Sequence, residues 1–271
     1  MAETSKVLLE FDDVTVRFEN RPVIDHINLV VRENETVVIL GAAGSGKTVL
    51  LKTALALVRP DEGRVVLFDL DTGKMRESQL RDLRSRMGIL FQEGGLFDSL
   101  NIEDNVGYPL LNQTSLRCPK EEVRPRVVEA LRFVELEHTL EKFPSELSGG
   151  MRRRVGIARA IVTQPELLLY DSPTAGLDPI TANTIMALIA KERETRGTTT
   201  VLVTHRYQDG HLLANYRYNP KTSRLEQATA SEAAGRTRFL VMQEGRIVFE
   251  GSQLELEDSL DPYVSKFAKR L

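Results

Sequence analysis

The sequence predicts an α/β fold with a mixed, mainly parallel core sheet, and three stretches carry that prediction. Residues 37–40 form a short apolar run that leads into a glycine-rich loop, as a buried strand followed by a turn and a helix does. Leu167–Asp171 is a second apolar run, and it ends in an acid. Residues 8–31 alternate between apolar and polar positions, which predicts antiparallel strands ahead of the core.

The glycine-rich loop after the first apolar run matches the phosphate-binding pattern G-x-x-x-x-G-K-[ST]. The matching residues are Gly41, Ala42, Ala43, Gly44, Ser45, Gly46, Lys47 and Thr48. Glycines allow consecutive backbone N–H groups to turn toward an anion at a helix N-terminus. Lys47 is predicted to reach the β- and γ-phosphates of a nucleoside triphosphate, and the Thr48 hydroxyl to ligate Mg²⁺. Asp171 is predicted to be the second Mg²⁺ partner.

Further motifs resemble one family of nucleotide-binding proteins. Residues 147–151 read LSGGM, and residues 152–160 continue as RRRVGIARA. Together with the phosphate loop, these residues resemble the signature of the ATP-binding cassette (ABC) family. Gln92, the loop Ala175–Asp178 and His205 follow in that family's order. The resemblance runs from about residue 8 to 251 and implies the P-loop NTPase fold of ABC ATPases, with a helical subdomain.

The resemblance implies a role for each motif and a dimer. It implies that Ser148, Gly149 and Gly150 form a second anion site, so that two copies bind head to tail with two ATP molecules between them. It also implies a base-stacking ring, a catalytic group, a loop acid near the nucleotide and a set of Mg²⁺ ligands. These are Phe18 for stacking; Gln92, Asp171, Ser172 and His205 for catalysis; Asp178 in the loop; and Thr48, Gln92 and Asp171 for Mg²⁺.

A closer resemblance concerns the transported substrate. Residues 91–110, 176–181 and 261–271 look like the Mla or Mce-type branch, the ATPases of bacterial phospholipid and lipid transporters. That branch implies an integral membrane permease as a partner. An Mce-type substrate-binding protein and a small regulatory subunit are further candidate partners. Importers of non-lipid substrates share most of these residues and stay open as an alternative.

Ser172 departs from the family pattern, because most relatives carry glutamate there. A serine hydroxyl can hydrogen-bond water but is not a base at neutral pH. Two hypotheses therefore stay open: an ATP-hydrolysing motor, and a cassette that binds ATP and dimerises but hydrolyses little, acting as a structural or regulatory subunit. His205 is followed by Arg206, where the family usually has an acid.

Composition and length limit the remaining possibilities. The chain has 271 residues, a formal net charge of −3 and no long basic block, so a nucleic-acid partner is not expected. No apolar run approaches the roughly 20 residues of a membrane span, and the N-terminus lacks the apolar core of a signal peptide. A single cysteine, Cys118, suits a reducing compartment. We expect a peripheral protein at the cytoplasmic face of the inner (plasma) membrane of a bacterium.

The whole chain, residues 1–271, is predicted to form one ABC ATPase domain. Residues 94–162 are expected to be its helical subdomain, and residues 252–271 a C-terminal helical tail. Residues 215–236 lie between motifs that the family joins by far fewer residues, so they are predicted to be an inserted hairpin or loop. The insertion is either a tolerated surface excursion or a docking surface for a partner protein.

Overall fold

The structure is a computed structural model that describes residues 5–113, 118–222, 224–229 and 236–268. These residues divide into two compact units. The first contains the residues up to Arg76 together with those from Ala190 onward, and the second is Glu77–Ile189.

The strands and helices alternate along the chain as expected for an α/β fold. The strands are β1 (Val7–Phe18), β2 (Arg21–Arg32), β3 (Thr36–Gly41), β4 (Glu62–Leu67), β5 (Leu70–Asp71), β6 (Met87–Leu90), β7 (Leu167–Asp171), β8 (Thr199–Thr204), β9 (Tyr216–Asn219), β10 (Arg224–Gln227), β11 (Thr237–Gln243) and β12 (Arg246–Gly251). The helices are α1 (Lys47–Ala54), α2 (Glu77–Arg84), α3 (Ile102–Asn112), α4 (Lys120–Phe133), α5 (Gly149–Ile161), α6 (Pro179–Arg196), α7 (Tyr207–Asn215), α8 (Gln253–Glu257) and α9 (Ser265–Ala268). Each helix of the described residues is too short or too polar to serve as a bilayer span.

The first unit contains an antiparallel sheet and a largely parallel one. The antiparallel sheet has the order β2-β1-β4-β5, and in the other sheet β3 lies between β11 and β8, parallel to both. Every residue of β3 is buried, which explains why its sequence is a continuous apolar run rather than an alternating one. The predicted combination of N-terminal antiparallel strands with a parallel core is confirmed.

The edge strand β12 joins β11 through a tight hairpin. The two strands are antiparallel, with Gln243 opposite Arg246. Glu244 and Gly245 between them both have positive φ, 48° and 81°. Two consecutive positive φ values are typical of the type I′ turn, whose twist matches that of the strands it connects.

The second unit is built from the parallel pair β6–β7 and the helices around it. Gly88 of β6 lies opposite Leu168 of β7. A Cβ at Gly88 would lie 2.2 Å from the carbonyl oxygen of Ala160 in α5, so only glycine allows this close approach of strand and helix. Helices α3, α4 and α5 pack against one another within the range where a helical subdomain is predicted.

The residues predicted to be an insertion include a hairpin that is fixed to the first unit. β9 and β10 pair antiparallel, with Tyr216 opposite Gln227. Arg217 Nη1 donates to Glu194 at 3.0 Å, and Arg193 donates to the carbonyl oxygen of Leu213 at 2.6 Å and to that of Tyr216 at 3.1 Å. All four residues of β9 are therefore half-buried, whereas a hairpin that projected into solvent would be exposed. Residues 223 and 230–235 of the predicted insertion, and residues 269–271 of the predicted C-terminal tail, lie outside the described residues.

Candidate nucleotide site

The predicted phosphate loop lies between β3 and α1 in the first unit. Gly46 precedes the helix with φ 101°, and a Cβ there would lie 2.5 Å from the carbonyl oxygen of Val23. Both facts require glycine. No side chain caps α1. The N–H groups of its first turn therefore point out of the helix without an intrahelical acceptor, which is the arrangement that binds phosphate at helix N-termini.

The Lys47 ammonium group is held at the centre of this loop. Its Nζ donates to the carbonyl oxygens of Gly41 at 2.8 Å and Ala42 at 2.7 Å, and to Ser45 Oγ at 3.1 Å. The side chain is buried. A cation inside a loop of small residues, next to an uncapped helix N-terminus, is suited to bind the phosphates of a nucleotide. A phosphate oxygen could replace Ser45 Oγ, the most distant of the three acceptors.

Phe18 ends β1 with its ring in solvent. The side chain is 49% exposed. It lies opposite Arg21, across a tight turn. An exposed ring at a strand end offers a flat face for stacking, so the geometry is compatible with the predicted contact with adenine.

His205 is the first residue after β8, and its side chain is exposed. The turn around it is held by Thr204, whose Oγ1 donates to Asp209 Oδ2 at 2.7 Å and accepts from the backbone N–H of Arg206 at 3.1 Å. Arg206 also lies 3.9 Å from the other Asp209 oxygen. The buried Asp209 therefore fixes the turn that follows His205. Sequence reasoning missed it, although an acid in the first turn of a helix is a recognisable signal.

Asp171 and Ser172 form a buried pair at the end of β7 in the second unit. Ser172 Oγ donates to Asp171 Oδ1 at 3.2 Å. The backbone of Ser172 has φ 47°, in the left-handed region that residues other than glycine rarely adopt. Because the hydroxyl proton is directed to the carboxylate, the Ser172 oxygen keeps its lone pairs for a donor such as water.

The signature residues lie at the start of α5, where Ser148 and Gly149 are exposed. Ser148 Oγ accepts from the backbone N–H of Met151 at 3.3 Å and so caps the helix. A Cβ at Gly150 would lie 2.5 Å from Thr181 Cγ2, so a larger residue there would force the Thr181 side chain to move. Gly149 is exposed, and an added Cβ would meet only Leu177 at 3.9 Å. These residues present a smooth helix N-terminus, as a second anion site requires.

Asp178 has a local structural role. Its Oδ1 accepts from the backbone N–H groups of Ile180 at 3.0 Å and Thr181 at 3.1 Å, so it caps α6. Hydrogen bonds from Thr181, side chain and then backbone, lower the pKa of this carboxyl. The sequence pattern assigned Asp178 to the nucleotide site, and the structure adds a cap that would exist without any nucleotide.

Arg153 is a residue of the second unit that sequence reasoning missed. Its buried guanidinium donates from Nη1 to the carbonyl oxygen of Phe91 at 3.2 Å and from Nη2 to that of Ala175 at 3.3 Å. Burial lowers the pKa of Arg153. It therefore joins the residue before the exposed Gln92 to the loop that follows Ser172. The run of three arginines at residues 152–154 was the available signal, but it does not reveal which of them is buried.

The predicted site residues form two groups, one in each unit. Phe18, the phosphate loop and His205 belong to the first, and Gln92, Ser148–Gly150, Asp171, Ser172 and Asp178 to the second. The hydroxyl of Thr48, the amide oxygen of Gln92 and the carboxylate of Asp171 are hard oxygen donors, the ligand type that suits Mg²⁺.

Comparison with known proteins places these motifs in context. The family model described as ABC transporter matches residues 24–175. The intermembrane phospholipid transport system ATP-binding protein MlaF of Escherichia coli (strain K12) is 33% identical over 267 residues, which are 98% of this chain and 90% of that protein. The methionine import ATP-binding protein MetN 2 of Rhodococcus jostii (strain RHA1) is 38% identical over 202 residues, 73% of this chain and 58% of that protein.

A solved structure shows the same fold. It is the dimeric structure of a post-hydrolysis state of the ATP-binding cassette MJ0796 bound to ADP and Pi. It superposes with a TM-score of 0.74 at 29% sequence identity and covers 90% of this chain and 98% of that one.

Replacing Lys47 tests the phosphate loop. Lys47→Ala should weaken Mg-ATP binding by more than tenfold, about 1.4 kcal/mol or more, because it removes a charge-assisted contact from the loop. Isothermal titration calorimetry measures the change. Lys52→Ala removes an exposed lysine from the same helix and should bind ATP like the parent protein. Equal affinities for all three proteins would contradict the assignment of the loop.

Proposed function

The chain belongs to the ABC transporter family as an ATP-binding subunit, and from that premise we propose that it drives phospholipid or lipid transport through a membrane permease. The observation that supports the lipid class is the length of the similarity. The match to the phospholipid transport protein MlaF spans 98% of this chain, whereas the match to the methionine import protein spans 73%. A motor for a non-lipid importer is the alternative.

The proposed working unit is a head-to-tail homodimer. In this proposal residues 1–271 act as one cassette domain, and the phosphate loop of one copy faces Ser148, Gly149 and Gly150 of the other. The smooth, exposed start of α5 supports this arrangement. A solved cassette of the same fold is described as dimeric and bound to ADP and Pi, which also supports it. We place the dimer at the cytoplasmic face of the inner membrane, with the permease as partner and an Mce-type substrate-binding protein and a small regulatory subunit as further candidates.

Different residues of the chain would bind the phosphates and the metal ion. Mg-ATP, when bound, supplies the γ-phosphoryl group that is transferred to water. Lys47 and the first-turn N–H groups of α1 would neutralise the phosphate oxygens, while Thr48, Gln92 and Asp171 would hold the metal. His205 would contact the terminal phosphate from a turn that Thr204 and Asp209 keep fixed.

Ser172 determines how fast such a site hydrolyses ATP. Its hydroxyl can accept a hydrogen bond from water, because its own proton is directed to Asp171, but it cannot take a proton at neutral pH. Loss of a positioned base typically lowers a rate by about 10² to 10⁴. We favour a slow motor over a purely regulatory cassette, because the phosphate loop, the signature and His205 are all present.

A surface of the second unit is suited to contact the permease. Phe97 is partly exposed, and its ring lies 4.7 Å from that of Tyr108. The guanidinium of Arg159 lies 4.4 Å from the centre of the Phe97 ring and donates to the carbonyl oxygen of Gly95 at 2.5 Å. A cleft of about 520 Å³ is lined in part by Tyr108, Pro109 and Arg159. A short apolar helix of a partner would fit beside rings that are already held in place.

Reconstitution tests the substrate class. The chain, purified with its permease and placed in liposomes, should move a fluorescent phospholipid between membranes in the presence of Mg-ATP, and the Lys47→Ala complex should not. The same complex should show no ATP-dependent uptake of radiolabelled methionine. Methionine uptake without lipid movement would reject the lipid proposal and favour the importer.

Shortening Phe97 tests the permease contact. Phe97→Ala removes the exposed ring and should reduce copurification with the permease at least severalfold, because aromatic anchors dominate such contacts. Leu254→Ala, which changes a 71% exposed apolar residue of the first unit, is the control. Unchanged copurification of Phe97→Ala, measured by affinity pull-down, would locate the contact elsewhere.

Introducing a carboxylate tests the missing-base explanation. Ser172→Glu should raise the steady-state ATPase rate by about tenfold or more, given the usual value of a positioned base. Ser172 is already a non-glycine residue with positive φ, so glutamate at this position would meet the same backbone strain as the serine does. Ser172→Ala removes the hydroxyl and should slow turnover further. A parent protein with rapid turnover that Ser172→Glu does not improve would contradict this explanation.

A further inference from the structure

The C-terminal segment, residues 252–268, reaches the phosphate loop through one side chain. The hydroxyl oxygen of Tyr263 accepts from the backbone N–H of Ala42 at 3.3 Å, and the hydroxyl donates to the carbonyl oxygen of Met242 at 3.0 Å. Ala42 is the second residue of the phosphate loop, and Met242 lies on β11 opposite Gly41. Tyr263 therefore bridges the loop and the strand beside it.

Ala42 is held from both sides. Its N–H donates to Tyr263, and its carbonyl oxygen accepts from Lys47 Nζ at 2.7 Å. A rotation of the backbone at Ala42 would strain both contacts. The orientation of the loop that surrounds the Lys47 ammonium group thus depends on a residue far from it in sequence.

Tyr263 is itself fixed in place. Asp261 Oδ1 accepts from the backbone N–H groups of Tyr263 at 2.8 Å and Val264 at 2.9 Å. The Val264 side chain is buried, and the Phe267 ring packs edge-on against Tyr263 with centroids 5.3 Å apart. The hydroxyl is therefore presented to the loop by a backbone with little freedom to move.

The same segment is attached to the helix that follows His205. Tyr207, the first residue of α7, donates its hydroxyl proton to Glu257 of α8. Gln253 Nε2 donates to the Tyr207 oxygen at 2.8 Å, and Asn215 Nδ2 donates to Gln253 Oε1 at 2.7 Å. The segment consequently contacts both the phosphate loop and the helix that follows His205.

We propose that the C-terminal segment positions the ATP site of the first unit, with Tyr263 as the positioning residue for the phosphate loop. The proposal rests on the assignment of residues 41–48 as the ATP phosphate loop. A loop that is already held in its binding conformation loses less conformational freedom when ATP binds. Removing the Tyr263 hydroxyl should release Ala42 and weaken ATP binding.

Tyr263→Phe tests the proposal, because it removes the hydroxyl and keeps the ring. The dissociation constant for Mg-ATP, measured by calorimetry on the full chain, should rise about two- to tenfold, the range that one hydrogen bond produces. In protein labelled with ¹⁵N-alanine, the Ala42 amide resonance should shift and its hydrogen exchange should accelerate. Tyr218→Phe removes a hydroxyl from the inserted hairpin and should change neither measurement.

Three outcomes would overturn the positioning role. These are an unchanged ATP dissociation constant, a fall in melting temperature alone, and weaker binding with an unmoved Ala42 resonance. The Lys47→Ala variant separates this failure from that of the site itself. If Lys47→Ala no longer binds Mg-ATP and Tyr263→Phe binds it like the parent protein, only the proposed role of the C-terminal segment is wrong. If Lys47→Ala still binds ATP, the loop assignment fails first.

Discussion

The contact between the Lys47 ammonium group and its own loop is the interaction on which the nucleotide site of the first unit depends. A lysine can reach the carbonyl oxygens of Gly41 and Ala42 only if the backbone bends back over the start of α1. That bend needs glycine at position 46, where φ is 101° and a neighbouring carbonyl oxygen leaves no room for a Cβ. The buried strand β3 fixes where the bend begins, and the uncapped helix supplies N–H donors of the kind that bind phosphate.

The pair Asp171 and Ser172 in the second unit bears on the proposed hydrolysis of ATP rather than on its proposed binding. Asp171 and Ser172 lie at the end of β7, where the resemblance to the family implies an acid followed by glutamate, and the Ser172 hydroxyl donates to the Asp171 carboxylate. Phosphoryl transfer relies mainly on positioning and on neutralisation of charge, which the remaining residues can still provide. In the proposed function, the chain would therefore bind ATP through the predicted motifs while Ser172 activates water only weakly.

Buried arginines connect segments that the motifs leave separate. Arg153 joins the residue before Gln92 to the loop after Ser172, and Arg193 fixes the inserted hairpin to the end of α6. Each guanidinium donates to backbone carbonyl oxygens, which satisfies those acceptors without requiring a particular side chain opposite. Because the acceptors are backbone atoms, neither arginine has an oppositely charged partner residue that the sequence could reveal for these contacts. Strand β9 of the hairpin is thereby held against the first unit, whereas β10 is mostly exposed.

The sequence alone determined the parts of this protein whose conformation is set locally. Continuous apolar runs specified the buried strands β3 and β7, and glycines with positive φ specified the turn at the phosphate loop. The order of motifs then indicated the family. Tertiary structure alone decided that Tyr263 meets Ala42, 221 positions away in the chain, and that Asp209 supports the turn at His205. The physical reason is that backbone conformation follows from neighbouring residues, whereas a hydrogen-bond partner depends on where distant segments come to lie when the core closes.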